Sequence, residues 1–228
     1  MLIIKNPRWR AVLRVAIPAL FIPAAAVLGT AIDHGKRHLI ISLLVACLSL
    51  LLFIAGIEKK TVGTRRTVIV SVMIALTVAG RMIPIVKPVT AITVITAVYL
   101  GGEAGFLVGA MSALISNFYF GQGPWTPFQM LAFGLIGLLA GGLAKPLSRH
   151  RWAICLYGVV SGVLYSAVMD VWNVLWYNGT FSPALFFAAA VTALPHTVTY
   201  ALSNLLFLWL MAKPFGEKLT RVKVKYGV

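Results

Sequence analysis

Long apolar stretches separated by short polar segments dominate the hydropathy pattern of the chain. An α-helix crosses the hydrocarbon core of a bilayer in about 20 residues, and most of these stretches are near or above that length. The stretches cover residues 11–32, 38–57, 67–83, 88–101, 103–119, 127–144, 152–176 and 182–212. The pattern predicts an all-α polytopic membrane protein with eight transmembrane helices.

Two of the eight predicted helices have unusual lengths. The fourth is short, and Gly101 and Gly102 at its end allow a tight reversal. The eighth is long enough to require a tilt, a kink or a protruding end, and Pro195 is a candidate kink. The first stretch follows several basic residues and could be a signal peptide. Its length and the second span directly behind it favour a retained helix instead.

The composition agrees with a membrane protein and disfavours a soluble one. Apolar residues make up 60% of the chain and charged residues only 11%, whereas a soluble domain carries about 25%. The net charge is +15, which in other settings indicates nucleic-acid binding. Here the basic residues form short clusters between apolar stretches, so we expect a lipid bilayer and no nucleic acid as the partner.

The distribution of basic residues predicts the orientation in the membrane. Sixteen of the 20 Lys and Arg residues lie in four segments on one predicted side of the membrane: the N-terminal segment, the loops at 59–66 and 145–151, and the C-terminal tail. By the positive-inside rule, both termini are cytoplasmic and the chain is a multi-pass protein of the plasma membrane. The opposite, external loops at 33–37, 84–87, 119–126 and 177–181 are poor in charge and rich in aromatic and amide residues.

The segment 117–129 is the strongest candidate for a binding site. Gly121 and Gly123 allow backbone conformations that other residues avoid, and Pro124 and Pro127 then stiffen the chain. Such a loop holds aromatic and amide groups in place for a large, mostly neutral organic ligand. The alternative is an interfacial aromatic belt joined by an ordinary turn. The candidate ligand-binding residues here are Asn117, Tyr119, Gln122, Trp125, Thr126 and Gln129.

A second group of candidates lies near the external end of the seventh predicted helix. Asp170 is one of only five acidic residues, and an acid inside a span is costly and often functional. It could instead pair with Arg81 for structural reasons. Asn178 also begins a possible glycosylation sequon. The candidate ligand-binding residues of this group are Asp170, Trp172, Asn173 and Tyr177.

Three further basic or titratable residues complete the predicted site. Arg81 and Lys87 lie on the side where basic residues are scarce, so they could attract an anionic ligand group or anchor to lipid phosphate. His196 shares a helix face with Tyr200, four residues away. It could reach the external cavity or bond across the bundle.

Catalytic and metal motifs are missing from the sequence. Cys47 and Cys155 are isolated within apolar stretches, which favours two buried thiols over a disulfide or a metal site. No phosphate loop, HExxH or CxxC motif occurs. A Ser161 and His196 pair could indicate an intramembrane serine protease, but no Gly-x-Ser motif surrounds Ser161. We therefore expect no enzymatic activity and no covalently bound cofactor.

Small residues recur every four positions on two predicted helices. Gly137 and Gly141 do so on the sixth helix, and Ser71, Ala75 and Ala79 on the third. Such stripes allow close approach of helix backbones, because packing drives helix association in lipid. Each stripe could pack inside the chain or dock on another membrane protein. We assign the docking role to Ser71, Ala75 and Ala79.

Three segments resemble the substrate-binding (S) components of energy-coupling factor (ECF) vitamin transporters. They are KPVTA at 87–91, GEAGFLVGA at 102–110 and SNFYFGQGPWTPFQM at 116–130. The resemblance covers about residues 67–212 and is strongest to the cobalamin-type S component, a group also associated with queuosine precursors. It implies three parts: two additional N-terminal helices (1–60), a six-helix substrate-binding core (61–213) and a basic tail (214–228).

The resemblance also implies a function. An S component captures a vitamin on the external face and carries no ATPase. It docks, through an Ala-x-x-x-Ala pattern that maps to Ala75 and Ala79, on a transmembrane coupling subunit with two cytosolic ATPases. Cobalamin is the expected substrate, and a queuosine precursor or other large heterocycle is the alternative. A stand-alone proton-coupled carrier or channel is a second alternative, although Asp170 is the only good candidate for its proton site.

Overall fold

The computed structural model describes residues 6–31, 37–55, 60–85 and 87–226, and every regular element within these ranges is a helix. The predicted all-helical fold is therefore confirmed. In chain order the elements are α1 (Pro7–Ala16), a π-helical turn (Ile17–Phe21), α2 (Ile22–Ala31), α3 (Arg37–Ala55), α4 (Lys60–Arg81), α5 (Val89–Leu100), α6 (Gly102–Phe120), α7 (Thr126–Gly142), α8 (Ala144–Arg149), α9 (Arg151–Asn178) and α10 (Pro183–Tyr226).

The helices extend beyond the apolar stretches that predicted them. α4 begins at Lys60 and α10 continues to Tyr226, whereas the hydropathy pattern predicted 67–83 and 182–212. Lys and Arg are good helix formers, so a helix continues through basic residues that hydropathy excludes. The short α8 was not predicted. In α9 and α10 the length and hydropathy suffice for a membrane span, while the apolar α5 and α7 are shorter.

Prolines shape the N-terminal helix. The side chain of Asn6 caps α1 by accepting a hydrogen bond from Arg8 N at 2.9 Å, and Pro7 occupies the first position, where a missing N–H costs nothing. Pro18 lies in the π-helical turn, and Ile22 N there donates to Ile17 O, five residues back. Proline removes a backbone donor and crowds the preceding turn, so the helix widens locally.

The buried centre of the molecule consists of α5, α6 and α7. In α5, the side chains from Val89 to Ala97 are all buried. Gly101 reverses the chain between α5 and α6 with a φ of 97°, a conformation that L side chains rarely adopt. The predicted tight reversal at this glycine is confirmed.

The helices α6 and α7 contact each other backbone to backbone. A Cβ atom at Gly109 would lie 2.4 Å from Phe133 O, and one at Gly137 would lie 2.4 Å from the carbonyl carbon of Gly105. At Gly141 it would lie 2.2 Å from Gly102 Cα. The Gly137 and Gly141 stripe therefore packs inside the chain, which is the internal alternative for this stripe.

The N-terminal helices are attached to the core by a charged cluster. α3 packs against α6 and α7, and Arg14 Nε of α1 donates to Glu103 Oε1 at 2.5 Å. Arg66 of α4 lies 3.8 Å from Glu103 and donates to Leu100 O at 2.5 Å. Glu103 is in the first turn of α6, where the helix dipole favours a carboxylate.

The long helix α10 packs mainly on α9 and also on α5. Its 44 residues correspond to about 66 Å at 1.5 Å per residue, about twice the hydrocarbon thickness of a bilayer. Pro195 and Pro214 lie inside this continuous helix. The helix order places the 82–88 and 121–125 loops and the end of α9 at one end of the bundle, and the basic segments at the other.

Candidate binding site

A network of amide and hydroxyl groups closes the loop between α6 and α7. Gly121 ends α6 with a φ of 105°. Asn117 Nδ2 donates to Thr126 Oγ1 at 2.8 Å and to Gln129 Oε1 at 2.9 Å. Thr126 Oγ1 donates to Gln122 Oε1 at 3.0 Å, and Gln122 Nε2 donates to Leu114 O at 2.9 Å. These hydrogen bonds hold the loop in one conformation.

The structure therefore brings together four predicted site residues, Asn117, Gln122, Thr126 and Gln129. Their side chains bond to one another, and their role in ligand binding stays a prediction. Each bonded group inside a low-dielectric bundle is costly to leave unsatisfied, so these residues first determine the shape of the loop.

Arg81 connects this network to a second loop. Arg81 Nη1 donates to Ser116 Oγ at 2.5 Å, and Nη2 donates to Gln129 Oε1 at 3.3 Å. The Arg81 guanidinium lies 5.4 Å from the ring centroid of Phe120, and Lys87 Nζ lies 5.0 Å from the same centroid. Both predicted basic residues thus share one aromatic ring.

The two cations concentrate positive charge at this end of the bundle. Within the described ranges the ion pairs involve Glu103 at the other end, so the alternative pair of Arg81 with Asp170 is not formed. Burial and the neighbouring Arg81 lower the pKa of Lys87. The backbone N of Lys87 donates to Ser203 Oγ of α10 at 2.9 Å. An electron-rich or anionic ligand group would relieve the repulsion between the two cations.

A stack of aromatic rings continues the network into the bundle. Gln129 Nε2 donates to Tyr165 OH at 3.1 Å, and the Tyr165 ring stacks on Tyr200 at 4.8 Å between centroids. Phe133 also stacks on Tyr165, at 4.7 Å between centroids, and lies 6.4 Å from Tyr200, while His196 stacks on Tyr200 at 5.6 Å. Sequence reasoning missed Tyr165, Ser116 and Phe120. Nothing in the hydropathy pattern distinguishes Tyr165 from other apolar positions of α9.

The predicted tryptophans meet beside the network. Trp125 and Trp172 contact edge to face, with 6.1 Å between ring centroids. Trp172 Nε1 is buried and has no hydrogen-bond partner among the described residues. Asp170 is only 7% exposed and interacts electrostatically with His196. A pair of indole rings with an unpartnered N–H suits an aromatic ligand with carbonyl groups.

Three predicted residues lie away from this network. Tyr119 is 75% exposed and contacts the edge of Phe120. Asn173 and Tyr177 line a separate groove of about 300 Å³ between α9 and α10, and Tyr177 is 79% exposed. The predicted site is thus divided into a closed polar network and a separate groove.

The small-residue stripe of α4 is on the outer surface. Ser71, Ala75 and Ala79 are all exposed, and Val72 and Leu76 beside them are exposed as well. No other helix of the described ranges covers this face.

Other chemistries find little support in the described part of the chain. Ser161 Oγ donates to Tyr157 O at 2.7 Å rather than to a histidine. No group of three or more metal-ligating side chains occurs there. Cys155 is buried, but Cys47 is exposed, which corrects the expectation that both thiols are buried.

This arrangement, a helical bundle with long apolar helices and a polar, aromatic site at one end, is that of a membrane-embedded binding protein. A family model described as "ECF-type riboflavin transporter, S component" matches residues 61–213. The chain therefore belongs to this family, the substrate-binding membrane subunits of ECF transporters. The resemblance inferred from the sequence is confirmed at that level, while the cobalamin subtype is not. No curated protein and no solved structure matches the chain.

Proposed function

We propose that the chain captures a flat heteroaromatic vitamin of the flavin class at the end of the bundle formed by the 82–88 and 121–125 loops. The proposal is carried by two neighbouring contacts: Arg81 bonds to Gln129 in the amide network, and Trp125, which precedes Thr126 of that network, pairs with Trp172. A tricyclic ring has faces for stacking on indoles. Its carbonyl oxygens can accept from a guanidinium and from Trp172 Nε1.

The family description supports the same ligand class, because it names riboflavin. A sugar-alcohol chain would place its hydroxyls along the groove lined by Asn173 and Asn178. At about 300 Å³ this groove is at the lower end of the range for organic ligands. A corrinoid is far larger than the groove, so cobalamin, the ligand expected from the sequence, becomes the alternative. A queuosine precursor is small enough to be a second alternative.

We also propose how the subunit works with its partners. The exposed stripe of Ser71, Ala75 and Ala79 is the surface that docks on the transmembrane coupling subunit, which carries two cytosolic ATPases. Support comes from its exposure and from the small side chains, which allow close helix packing. The six helices from α4 onward, without the short α8, hold the site. A stand-alone carrier is disfavoured, since Asp170 is the only acid near the network among the described residues.

The ligand assignment can be tested on protein purified from cells supplied with riboflavin, cobalamin and queuine together. A flavin absorption spectrum at about one ligand per chain is the expected result. A corrin spectrum at that level would instead establish cobalamin. Titration of ligand-free protein with each compound by calorimetry completes the test. If none of the three binds, the site is not a vitamin site of this kind.

A further inference from the structure

A second cavity, of about 460 Å³, lies at the opposite, basic end of the bundle. It is formed where the C-terminal part of α10 passes the start of α9 and the end of α5. Buried side chains of Leu147, Ile154 and Ala212 form its apolar part. The vitamin site has no residue in common with this cavity.

The cavity wall is strongly cationic. Arg149, Arg151, Lys213 and Arg221 line it, against one carboxylate, that of Glu217. Within the described ranges, none of the four cations forms an ion pair. α9 begins at Arg151, and its first turn lines the cavity, so the positive end of the helix dipole lies beside the cavity. A group with one or two negative charges would be attracted there.

Two tryptophans indicate the depth of the cavity in the membrane. The Arg151 guanidinium lies 3.8 Å from the ring centroid of Trp209, and Trp209 contacts Trp152 with 5.0 Å between centroids. Trp152 is 72% exposed. Exposed tryptophans concentrate at the level of lipid head groups, where basic side chains also extend toward the surface. The cavity therefore opens at head-group level.

An apolar surface leads away from the tryptophans toward the middle of the bilayer. Leu156, Val160 and Val163 follow Trp152 on the exposed face of α9 at helical spacing. Leu206 and Leu210 are exposed on α10 beside Trp209. A cationic cavity above a continuous apolar surface matches the two parts of a phospholipid, whereas a free phosphate ester would use only the first.

We propose that this cavity binds the head group of an anionic phospholipid, with the acyl chains along the exposed face of α9 and α10. The phosphate lies among Arg149, Lys213 and Arg221, and the tails cover Leu156 and Val160. Arg151 is held by its bond to the Trp209 carbonyl oxygen and lines the wall. This assignment does not depend on the identity of the vitamin.

The test measures binding of phosphatidylglycerol to the full-length protein in detergent by native mass spectrometry, with phosphatidylcholine as the neutral comparison. We expect at least a tenfold preference for phosphatidylglycerol. The double variant Arg149→Gln with Lys213→Gln should lose about tenfold in affinity, the size of one charge-assisted hydrogen bond. The matched control Lys145→Gln with Lys218→Gln removes two equally exposed charges outside the cavity and should change affinity less than threefold.

The outcomes separate clearly. Equal affinity for the two lipids, or equal losses in the two double variants, would overturn the proposal. Glycerol phosphate is added as a competitor, and it should displace the lipid only at far higher concentration. If it competes as well as phosphatidylglycerol, the site takes a free phosphate ester and the lipid assignment is wrong. The melting temperature and elution volume of both double variants should match those of the wild type, which shows that they are folded.

Discussion

The two stripes of small residues in this molecule have opposite surroundings. On α7, Gly137 and Gly141 face the backbone of α6 so closely that an added Cβ would lie within 2.4 Å of it. On α4, Ser71, Ala75 and Ala79 are exposed, and no helix of the described ranges covers them. The sequence pattern of the two stripes is similar. The difference shows that spacing indicates close helix packing but does not indicate the partner. The partner is internal for the α7 stripe, and for the α4 stripe we propose the coupling subunit.

The largest effect is expected from Gly137→Leu. The side chain would meet the carbonyl carbon of Gly105 at 2.4 Å, and this backbone cannot yield without separating α6 from α7. Overpacking alone costs about 1–3 kcal/mol, and a backbone collision adds to this, so we expect loss of folded protein. The yield of monodisperse protein in detergent measures it.

Gly142→Leu is the control for this change. Gly142 lies on the same helix, and a Cβ there would meet nothing within 4 Å. It should keep a near-normal yield. Normal yield and melting temperature for Gly137→Leu would mean that α6 and α7 are not in close contact.

The next largest effect is expected from Ala75→Trp combined with Ala79→Trp. Two indoles one turn apart would hold a partner helix away from α4, so vitamin uptake in cells should be abolished. Binding of the vitamin by the isolated protein should stay within about threefold, since both positions are exposed. Uptake assays and calorimetry measure the two results.

Leu194→Trp with Val198→Trp also places two indoles one turn apart, on an exposed face of α10, and should leave uptake intact. If uptake by the α4 double variant is normal, the partner docks elsewhere. If binding is lost together with uptake, the α4 stripe is part of the fold rather than a docking surface.

Smaller effects on vitamin binding are expected from single alanine variants in the candidate site, and they distinguish ligand-contacting side chains from those that bond only within the chain. Trp125→Ala removes a partly buried aromatic anchor and should weaken vitamin binding by about 2 kcal/mol or more, roughly thirtyfold. Gln122→Ala breaks bonds to Leu114 and Thr126 and should cost about 1 kcal/mol, chiefly in stability. Asn173→Ala should also weaken binding less than Trp125→Ala. Calorimetric titration and thermal unfolding of the three variants give the order, and wild-type affinity in Trp125→Ala would place the ligand away from the indole pair.

The smallest effect is expected from Ser71→Ala. This change keeps the side chain small and removes only a hydroxyl at an exposed position, so stability should change by less than about 0.5 kcal/mol and uptake should stay near normal. A strong loss of uptake would show that the α4 surface docks through a hydrogen bond at Ser71 rather than through close packing.

Much of the fold could be predicted because a helix that crosses a bilayer must be apolar over about 20 residues. Apolar length predicted the main helices, and Gly101 predicted the reversal before α6. The polar ends of α4 and α10 could not be found in this way, since hydropathy does not report helices in basic segments.

The candidate site was predictable only in part. The glycines and prolines of 121–127 indicated an ordered loop, and the residues around it do form a network. Partners distant in sequence were not predictable: Gln129 bonds to Tyr165, 36 residues away, and Arg81 bonds to Ser116, 35 residues away. Which polar side chains find hydrogen-bond partners depends on how the helices pack, and the local sequence does not determine that packing.

The order of synthesis affects how the charged cluster at Glu103 forms. Both of its cations, Arg14 and Arg66, precede Glu103 in the chain. A growing polypeptide therefore delivers the positive charges before the acid that they neutralise, and N-terminal segments can fold before later ones emerge. The carboxylate arrives at a place that is already positive, so the only acid between residues 59 and 169 has its counter-charges waiting during insertion. Arg14 of the first helix can therefore stabilise the Glu103 carboxylate as soon as α6 enters the membrane.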